Sequence, residues 1–196
     1  RPHESFFSHY LGVMLTAMAQ SLQEQGHYLL LSPLTIGGSR TQLRQLLREG
    51  RVDGIATRFV TDPPESDVIL ELVEATRVPC VCVERPGAER FGFSSVTYDD
   101  REGGRLAVEH LLAQGHRRIA HIHGDMRYAS AQARLASYES TLRAAGLPLD
   151  PQLIVGSPWG TREANIVTQR LLDLPKPPTA IFAASDDLAI GAVQAI

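Results

Sequence analysis

Residues 96–146 contain a strand, a helix, a second strand and a second helix in immediate succession. A short apolar alternation leads to Asp99 and Asp100, and carboxylates at such a place stabilise the first turn of a helix. The second strand is RRIAHIHG, after which apolar residues recur at helical spacing. Strand–helix–strand units of this kind require a parallel sheet with crossover helices. We therefore expect an α/β fold with doubly wound parallel sheets.

The rest of the chain continues this alternation of apolar strands and amphipathic helices. Short apolar runs between turn residues indicate strands, and apolar residues at helical spacing indicate helices. The expected strands are 27–31, 52–57, 78–83, 119–124, 153–155 and 179–184, and the expected helices include 11–22, 41–49 and a last helix capped by Ser185. Ligands of such sheets bind outside the carboxyl ends of the strands.

The composition excludes several functional classes. The formal net charge of −3 over 196 residues is not that of a strongly basic nucleic-acid-binding surface. No apolar run approaches the length of a membrane span, and no signal peptide is visible at Arg1. Lys176 is the single lysine, so no phosphate loop of the Walker type precedes it. The glycine fingerprint of dinucleotide-binding enzymes and the G-x-S-x-G elbow of hydrolases are also missing.

Two groups of residues contain possible metal ligands. His121 and His123 share one face of a strand and Asp125 follows them, but no third strong ligand is set by spacing. Cys80 and Cys82 are expected to be small buried apolar residues, because neighbours at this spacing rarely form a disulfide. We therefore expect neither a metal nor a cofactor.

Several motifs occur in a definite order along the chain: VDGIAT, VPCVCVERP, VTYDD with a following GG, GHRRIAHIHGD, ARLASY and PTAIFAASDDLAIGA. Their order and spacing resemble the effector-binding region of the LacI/GalR family of bacterial transcription regulators. The resemblance covers essentially the whole chain and implies two α/β lobes facing each other across a cleft, the periplasmic-binding-protein type I fold. We expect the first lobe at residues 1–115 and an incomplete second lobe at residues 116–196. Nothing in the chain corresponds to the family's helix-turn-helix, so we expect a fragment.

The resemblance also implies ligand contacts at the cleft. Arg134 is the first candidate, because the arginine of the similar motif contacts the effector and an arginine can donate two parallel hydrogen bonds to vicinal hydroxyls or a carboxylate. Asp186 matches the second residue of an Asn-Asp pair, with Ser185 in place of the asparagine. Trp159 offers a ring for stacking on a sugar or base. The further candidates are Asp100, Tyr128, Ser130, Phe7 and His123.

Each candidate also has a purely structural interpretation. Arg134 is alternatively a surface or capping arginine, Asp186 a helix-start acid, and Trp159 a residue of loop packing. Adjacent carboxylates such as Asp99 and Asp100 can form an acid–base pair, but a cap plus one cleft contact is the favoured interpretation here. The Phe6–Phe7 element has an open register, since counting back from Gly26 places residues 8–11 at the same element.

The function implied by the resemblance is the sensing of a small effector, expected to be a sugar, by a repressor-type regulator. Such a regulator is expected to be cytoplasmic and to form a homodimer through the first lobe, including the helices near 11–22 and 69–73. Operator DNA would be bound only through a domain outside this chain, and no membrane partner is expected. Two alternatives are a periplasmic sugar-binding protein of the same fold and, less favoured, an enzyme with a Rossmann-like fold.

Overall fold

The computed structural model describes residues 9–32, 39–58 and 65–196. These residues fall into two compact units, which divide between Arg48 and Glu49. The described part of the first unit contains two helices, α1 (His9–Glu24) and α2 (Ser39–Arg48). Both were expected from their apolar spacing, and Gly26, with a φ of 78°, follows α1 as a left-handed cap residue.

The expected buried strand at residues 27–31 is wrong. Residues 27–32 have no regular secondary structure, Tyr28 is 91% exposed, and Leu30 and Leu31 are more than half exposed. A strand needs a hydrogen-bonded neighbour, and the described elements of the first unit are both helices. The apolar run HYLLL therefore has high strand propensity but no strand partner among the described residues of this unit.

The second unit alternates strands and helices throughout. Its elements are β1 (Ile55–Arg58), α3 (Glu65–Glu74), β2 (Cys80–Val83), a 3-10 helix (Ala88–Phe91), β3 (Ser94–Val96), α4 (Asp100–Ala113), β4 (Ile119–His123), α5 (Ala129–Ala144), a 3-10 helix (Pro151–Leu153), β5 (Ile154–Gly156), α6 (Thr161–Leu172), β6 (Ala180–Ala183) and α7 (Asp186–Ala195). All expected strands from 52 onwards are present, within one to three residues of their expected bounds.

The six strands form two separate parallel sheets. The first sheet has the order β1-β2-β3 and the second has the order β5-β4-β6. All four pairs of neighbouring strands in the described residues are parallel. In the second sheet the chain leaves β4 for β5 on one side and then crosses to β6 on the other side. This places a topological switch point between β4 and β6, and ligands of open α/β sheets bind at the carboxyl ends of such strands.

Both faces of the second sheet are covered, as a doubly wound sheet requires. One face packs under α6 and α7, with a core that includes Ala120, Ile122, Leu171 and Leu188. The other face packs under α4 and α5, with a core of Val108, Ile119, Tyr138 and Leu142. The expected α/β class with parallel sheets is therefore confirmed.

Helix α4 lies with the second sheet, whereas the expected lobe boundary after Gly115 placed it with the first. Val108 of α4 is fully buried in the same cluster as Ile119 and Tyr138. A Cβ added to Gly104 would lie 2.8 Å from the Cβ of Ser137 on α5, so the two helix backbones approach closely there. Gly104 thus allows α4 to pack closely against α5.

The helix ends agree with the sequence signals. Asp99 accepts a hydrogen bond from the backbone N–H of Glu102 at 2.9 Å and caps α4, and Gly115 follows that helix with a φ of 90°. Ser185 caps α7 by accepting a hydrogen bond from the N–H of Leu188 at 3.3 Å. Across the described residues, no helix is both long enough and apolar enough to span a bilayer.

Candidate functional site

The side chain of Arg134 connects three elements at the carboxyl ends of β4 and β6. From α5 its Nε lies 3.0 Å and its Nη2 lies 2.7 Å from Oδ1 of Asp100, the first residue of α4. Its Nη1 donates a hydrogen bond to the backbone carbonyl of Ala184, directly after β6. The side chains of Arg134 and Asp100 are 28% and 19% exposed, so the ion pair is largely but not wholly removed from water. A guanidinium has five N–H donors, which is two more than these contacts use.

Asp99 and Asp100 have different partners. Asp99 caps α4, whereas Asp100 pairs with Arg134. The geometry therefore matches the favoured interpretation of one cap plus one site contact, and it does not bring the two carboxylates together as an acid–base pair.

Trp159 and Tyr128 form an aromatic pair beside the end of β4. Their rings meet edge to face with centroids 5.6 Å apart at 88°. The indole ring covers Gly124, where an added Cβ would lie 2.1 Å from ring carbons, so only glycine leaves room for Trp159 at this place. Nε1 of Trp159 is buried without a hydrogen-bond partner in the described structure. Trp159 also packs against the apolar core under α6 and α7.

Three further candidates lie at the same edge of the second sheet. His123 ends β4, is half-buried, and has Nδ1 2.8 Å from the carbonyl oxygen of Gly124. Ser130 is half-buried in the first turn of α5, and Asp186 is exposed in the first turn of α7. Phe7 lies outside the described residues. The roles of all these side chains in ligand binding remain predictions.

His121 is enclosed within the second sheet and its helices. Its ring stacks on Phe182 and Tyr138 with centroids 4.6 Å and 5.2 Å away, and Nδ1 lies 2.9 Å from the carbonyl oxygen of Phe182. The pKa of His121 is lowered to about 4, mainly because burial desolvates the imidazole and to a smaller extent because of the nearby His123 and Arg134, while the hydrogen bond with the Phe182 carbonyl acts in the opposite direction. A neutral imidazole in this position behaves as an aromatic core residue.

The described residues include no cluster of three His, Cys, Asp or Glu side chains arranged to hold a metal ion. Asp125 instead accepts hydrogen bonds from the backbone N–H and the guanidinium of Arg127, and the pKa of its carboxyl is lowered mainly by that guanidinium. Cys80 and Cys82 are buried free thiols, and burial raises the pKa of Cys80 to about 12. These thiols are therefore protonated and unreactive at neutral pH.

A second ion pair, which was not expected from the sequence, lies at the carboxyl ends of the first sheet. Arg58 ends β1 and its Nε lies 2.7 Å from Oε2 of Glu84, which follows β2; each side chain is 19% exposed. Glu84 has a φ of 55°, an uncommon conformation for a residue other than glycine. The guanidinium of Arg58 lies over the ring of Tyr128, 5.9 Å from its centroid. The sequence contains a signal for this ion pair. Arg58 ends β1 and Glu84 directly follows β2, so the two opposite charges meet when these strands pair in parallel.

Comparison with known proteins identifies the family. Residues 2–196 match the family described as periplasmic binding proteins and the sugar-binding domain of the LacI family. A probable HTH-type transcriptional repressor, ExuR of Bacillus subtilis, is 33% identical over 146 residues, which are 74% of this chain and 43% of that protein. The chain spans about half the length of the curated relatives that it matches.

Solved structures agree with this assignment. A regulatory protein of the LacI family from Chloroflexus aggregans superposes with a TM-score of 0.81 at 28% identity, covering 100% of this chain and 69% of that one. The transcriptional regulator CelR in complex with cellobiose superposes with a TM-score of 0.79 at 28% identity, covering 97% of this chain and 57% of that one. The chain therefore belongs to the family that unites periplasmic binding proteins with the sugar-binding domains of LacI-type regulators.

Proposed function

We propose that this chain is the ligand-sensing region of a repressor-type transcription regulator and that it binds a sugar at the carboxyl ends of β4 and β6. The observation that carries the proposal is the Arg134 constellation at the topological switch point. Arg134, Asp100 and the Ala184 carbonyl combine donors and acceptors, and the aromatic pair of Tyr128 and Trp159 follows strands β4 and β5 of the same sheet. Sugars are bound by such sets, because hydroxyls need both donors and acceptors and the sugar ring needs an apolar face.

The comparisons support a regulator over the two alternatives. The relatives reported above carry the names of transcription regulators, and one of the similar structures holds cellobiose. Within the proposal, DNA binding belongs to a helix-turn-helix outside this chain, the working form is a homodimer, and the compartment is the cytoplasm. Ligand binding would shift the regulator between DNA-binding and released states because the ligand prefers one of them.

The test is a fluorescence titration, because Trp159 is the single tryptophan of the chain. Cellobiose is the first probe, followed by other sugars, sugar phosphates, nucleobases and amino acids. We expect a saturable change in Trp159 emission with a sugar. Arg134→Ala should weaken binding about 10- to 100-fold, since hydrogen bonds to a charged group contribute about 1.5–3 kcal/mol.

Arg143→Ala is the matched control for that substitution. Arg143 lies on the same helix and pairs with Glu139 at 3.1 Å, but its side chain is 61% exposed. We expect this variant to bind like the unsubstituted chain. Unchanged affinity in Arg134→Ala would remove Arg134 from the site, and no response to any ligand class from folded protein would reject the sensor proposal.

A further inference from the structure

Tyr128 is enclosed by side chains from both sheets. It is 7% exposed although it lies at the start of α5, outside the strands. Trp159, in the loop between β5 and α6, meets the ring edge to face, and the guanidinium of Arg58, at the end of β1, lies over the ring. A ligand ring can reach the face of Tyr128 under Arg58 only if that guanidinium moves away.

Arg58 is held by an ion pair with Glu84. The carboxylate of Glu84 accepts a hydrogen bond from Nε of Arg58 at 2.7 Å, with both side chains about four-fifths buried. The backbone of Glu84 has a left-handed φ of 55°, and its N–H donates to the carbonyl of Val96 at 2.8 Å. Strained backbone of this kind is found where neighbouring structure imposes a conformation, frequently at functional sites.

A cation over a tyrosine face is a favourable contact that a sugar ring must replace. Attraction between a guanidinium and an aromatic ring at this distance adds to the packing of the arginine stem on the ring. A neutral sugar ring offers stacking and C–H contacts on the same face but carries no charge. Binding of the sugar therefore costs the contact between Arg58 and Tyr128.

We propose that Arg58 determines which ligands reach the aromatic pair, by covering Tyr128 and competing with neutral sugar rings for its face. The inference rests on the proposed function, since it concerns access to the same sugar site. Arg58 acts as a residue that sets affinity and selectivity, and Glu84 acts as the residue that positions it.

The first experiment needs no ligand. Acrylamide quenching of Trp159 fluorescence measures how readily a small solute reaches the aromatic pair in the 196-residue chain. We expect the quenching constant to rise in Arg58→Met, which keeps much of the side-chain length but removes the charge. Arg58→Lys should show an intermediate constant, because it keeps the cation but loses the planar fork held by Glu84. Glu84→Gln should also raise the constant, because it weakens the group that holds Arg58.

Arg90→Met is the matched control. Arg90 also pairs with a carboxylate, that of Asp67, and its guanidinium also lies over an aromatic ring, 4.9 Å from the centroid of Phe91. Arg90→Met therefore loses the same kinds of contact, and none of the contacts within the described part of the chain links Arg90 to Trp159. We expect its quenching constant to equal that of the unsubstituted chain.

The second experiment is a titration of the same variants with cellobiose. Loss of a competing cation–ring contact should tighten binding about two- to fivefold in Arg58→Met, with no change in Arg90→Met. A quenching constant that is the same in Arg58→Met and the unsubstituted chain would overturn the inference even if sugars bind. Weaker binding in Arg58→Met would also overturn it, because Arg58 would then be a ligand contact. A raised quenching constant without binding of any sugar would reject the proposed function and leave the covering of Tyr128 by Arg58 supported.

Discussion

At the scale of single residues, the guanidinium of Arg134 shows how one side chain can organise a site. It joins the start of α4, the body of α5 and the end of β6 through Asp100 and the Ala184 carbonyl. Truncating it would leave a largely buried carboxylate without its partner, which is costly in a low-dielectric environment. A ligand that meets the remaining N–H groups of Arg134 therefore binds a group that the protein already holds in place.

The pH dependence of stability provides a residue-scale test of the burial of His121. The folded chain keeps His121 neutral down to about pH 4, whereas an unfolded chain protonates it near pH 6.5. The stability due to the neutral residue is therefore full above about pH 6.5 and is lost as the pH falls towards 4. Because protonation of His121 is coupled to unfolding, the free energy of unfolding should fall by about 2 kcal/mol between about pH 7.5 and pH 5.

His121→Phe should remove this loss while keeping the stacking on Phe182 and Tyr138. Urea unfolding of both proteins at the two pH values measures the difference. We expect the free energy of unfolding to fall about 2 kcal/mol further in the unsubstituted chain than in the variant. An equal fall in both proteins would show that His121 is accessible to protons in the folded state.

The sequence predicted Arg134 as a site residue but did not predict its partners. The motif places an arginine on a helix near the strand ends, and that much is local. Asp100 is 34 residues away and the Ala184 carbonyl is 50 residues away along the chain, so their approach depends on packing. Arg58 and Glu84 were missed for the same reason, since their proximity exists only once β1 and β2 pair in register.

At the scale of elements, the contact between α4 and α5 depends on one of two adjacent glycines. A Cβ on Gly104 would meet the Cβ of Ser137 at 2.8 Å and the Cα of Arg134 at 3.4 Å, whereas a Cβ on Gly103 would meet nothing within 4 Å. Ser137 also donates a hydrogen bond from Oγ to the carbonyl of Arg101 across the same contact. The neighbours of Gly104 belong to the backbone of α5 and the first atom of a side chain, so they cannot rotate away.

Alanine substitutions at these two glycines should have opposite effects. Gly104→Ala forces the helices apart and should lower the free energy of unfolding by about 1–3 kcal/mol, as overpacking does in other cores. Gly103→Ala should raise it by up to about 1 kcal/mol, because alanine is the better helix former. Urea midpoints with a common slope provide the measurement, and two substitutions of equal effect would contradict the close approach at Gly104.

Pairing between strands explains why the expected strand at residues 27–31 does not form. Apolar runs at β4 and at 27–31 look alike in sequence, but β4 has β5 and β6 as hydrogen-bonded neighbours. Residues 27–32 lie in a unit whose other described elements are helices, and a single strand leaves its backbone groups unpaired. Local propensity therefore predicts where a strand is possible, and pairing decides whether it forms.

At the scale of the whole molecule, a ligand at the proposed site would stabilise tertiary structure as well as local structure. The site residues come from α4, α5, the end of β6 and the loop before α6, which do not come together in the unfolded chain. A ligand that binds only the folded state should raise the melting temperature with increasing concentration. The gain is about 2.7 kcal/mol at a hundredfold excess over Kd.

A thermal-shift series with the sugar identified by fluorescence measures this linkage. The shift should grow with the logarithm of sugar concentration in the unsubstituted chain and should be much smaller in Arg134→Ala at the same concentrations. A shift of equal size in both proteins would place the bound sugar away from Arg134.

The sequence by itself determined the α/β class, the parallel strand–helix alternation, the caps at Asp99 and Ser185, and the family, because periodicity, caps and motif order are properties of short segments. Only the tertiary structure decided that α4 packs with the second sheet, that Asp100 pairs with Arg134, and that Arg58 covers Tyr128. These depend on distances between residues far apart in the chain, which are set when helices pack and strands pair. The chemistry at the carboxyl ends of the strands is thus encoded in separate segments and assembled only by the fold.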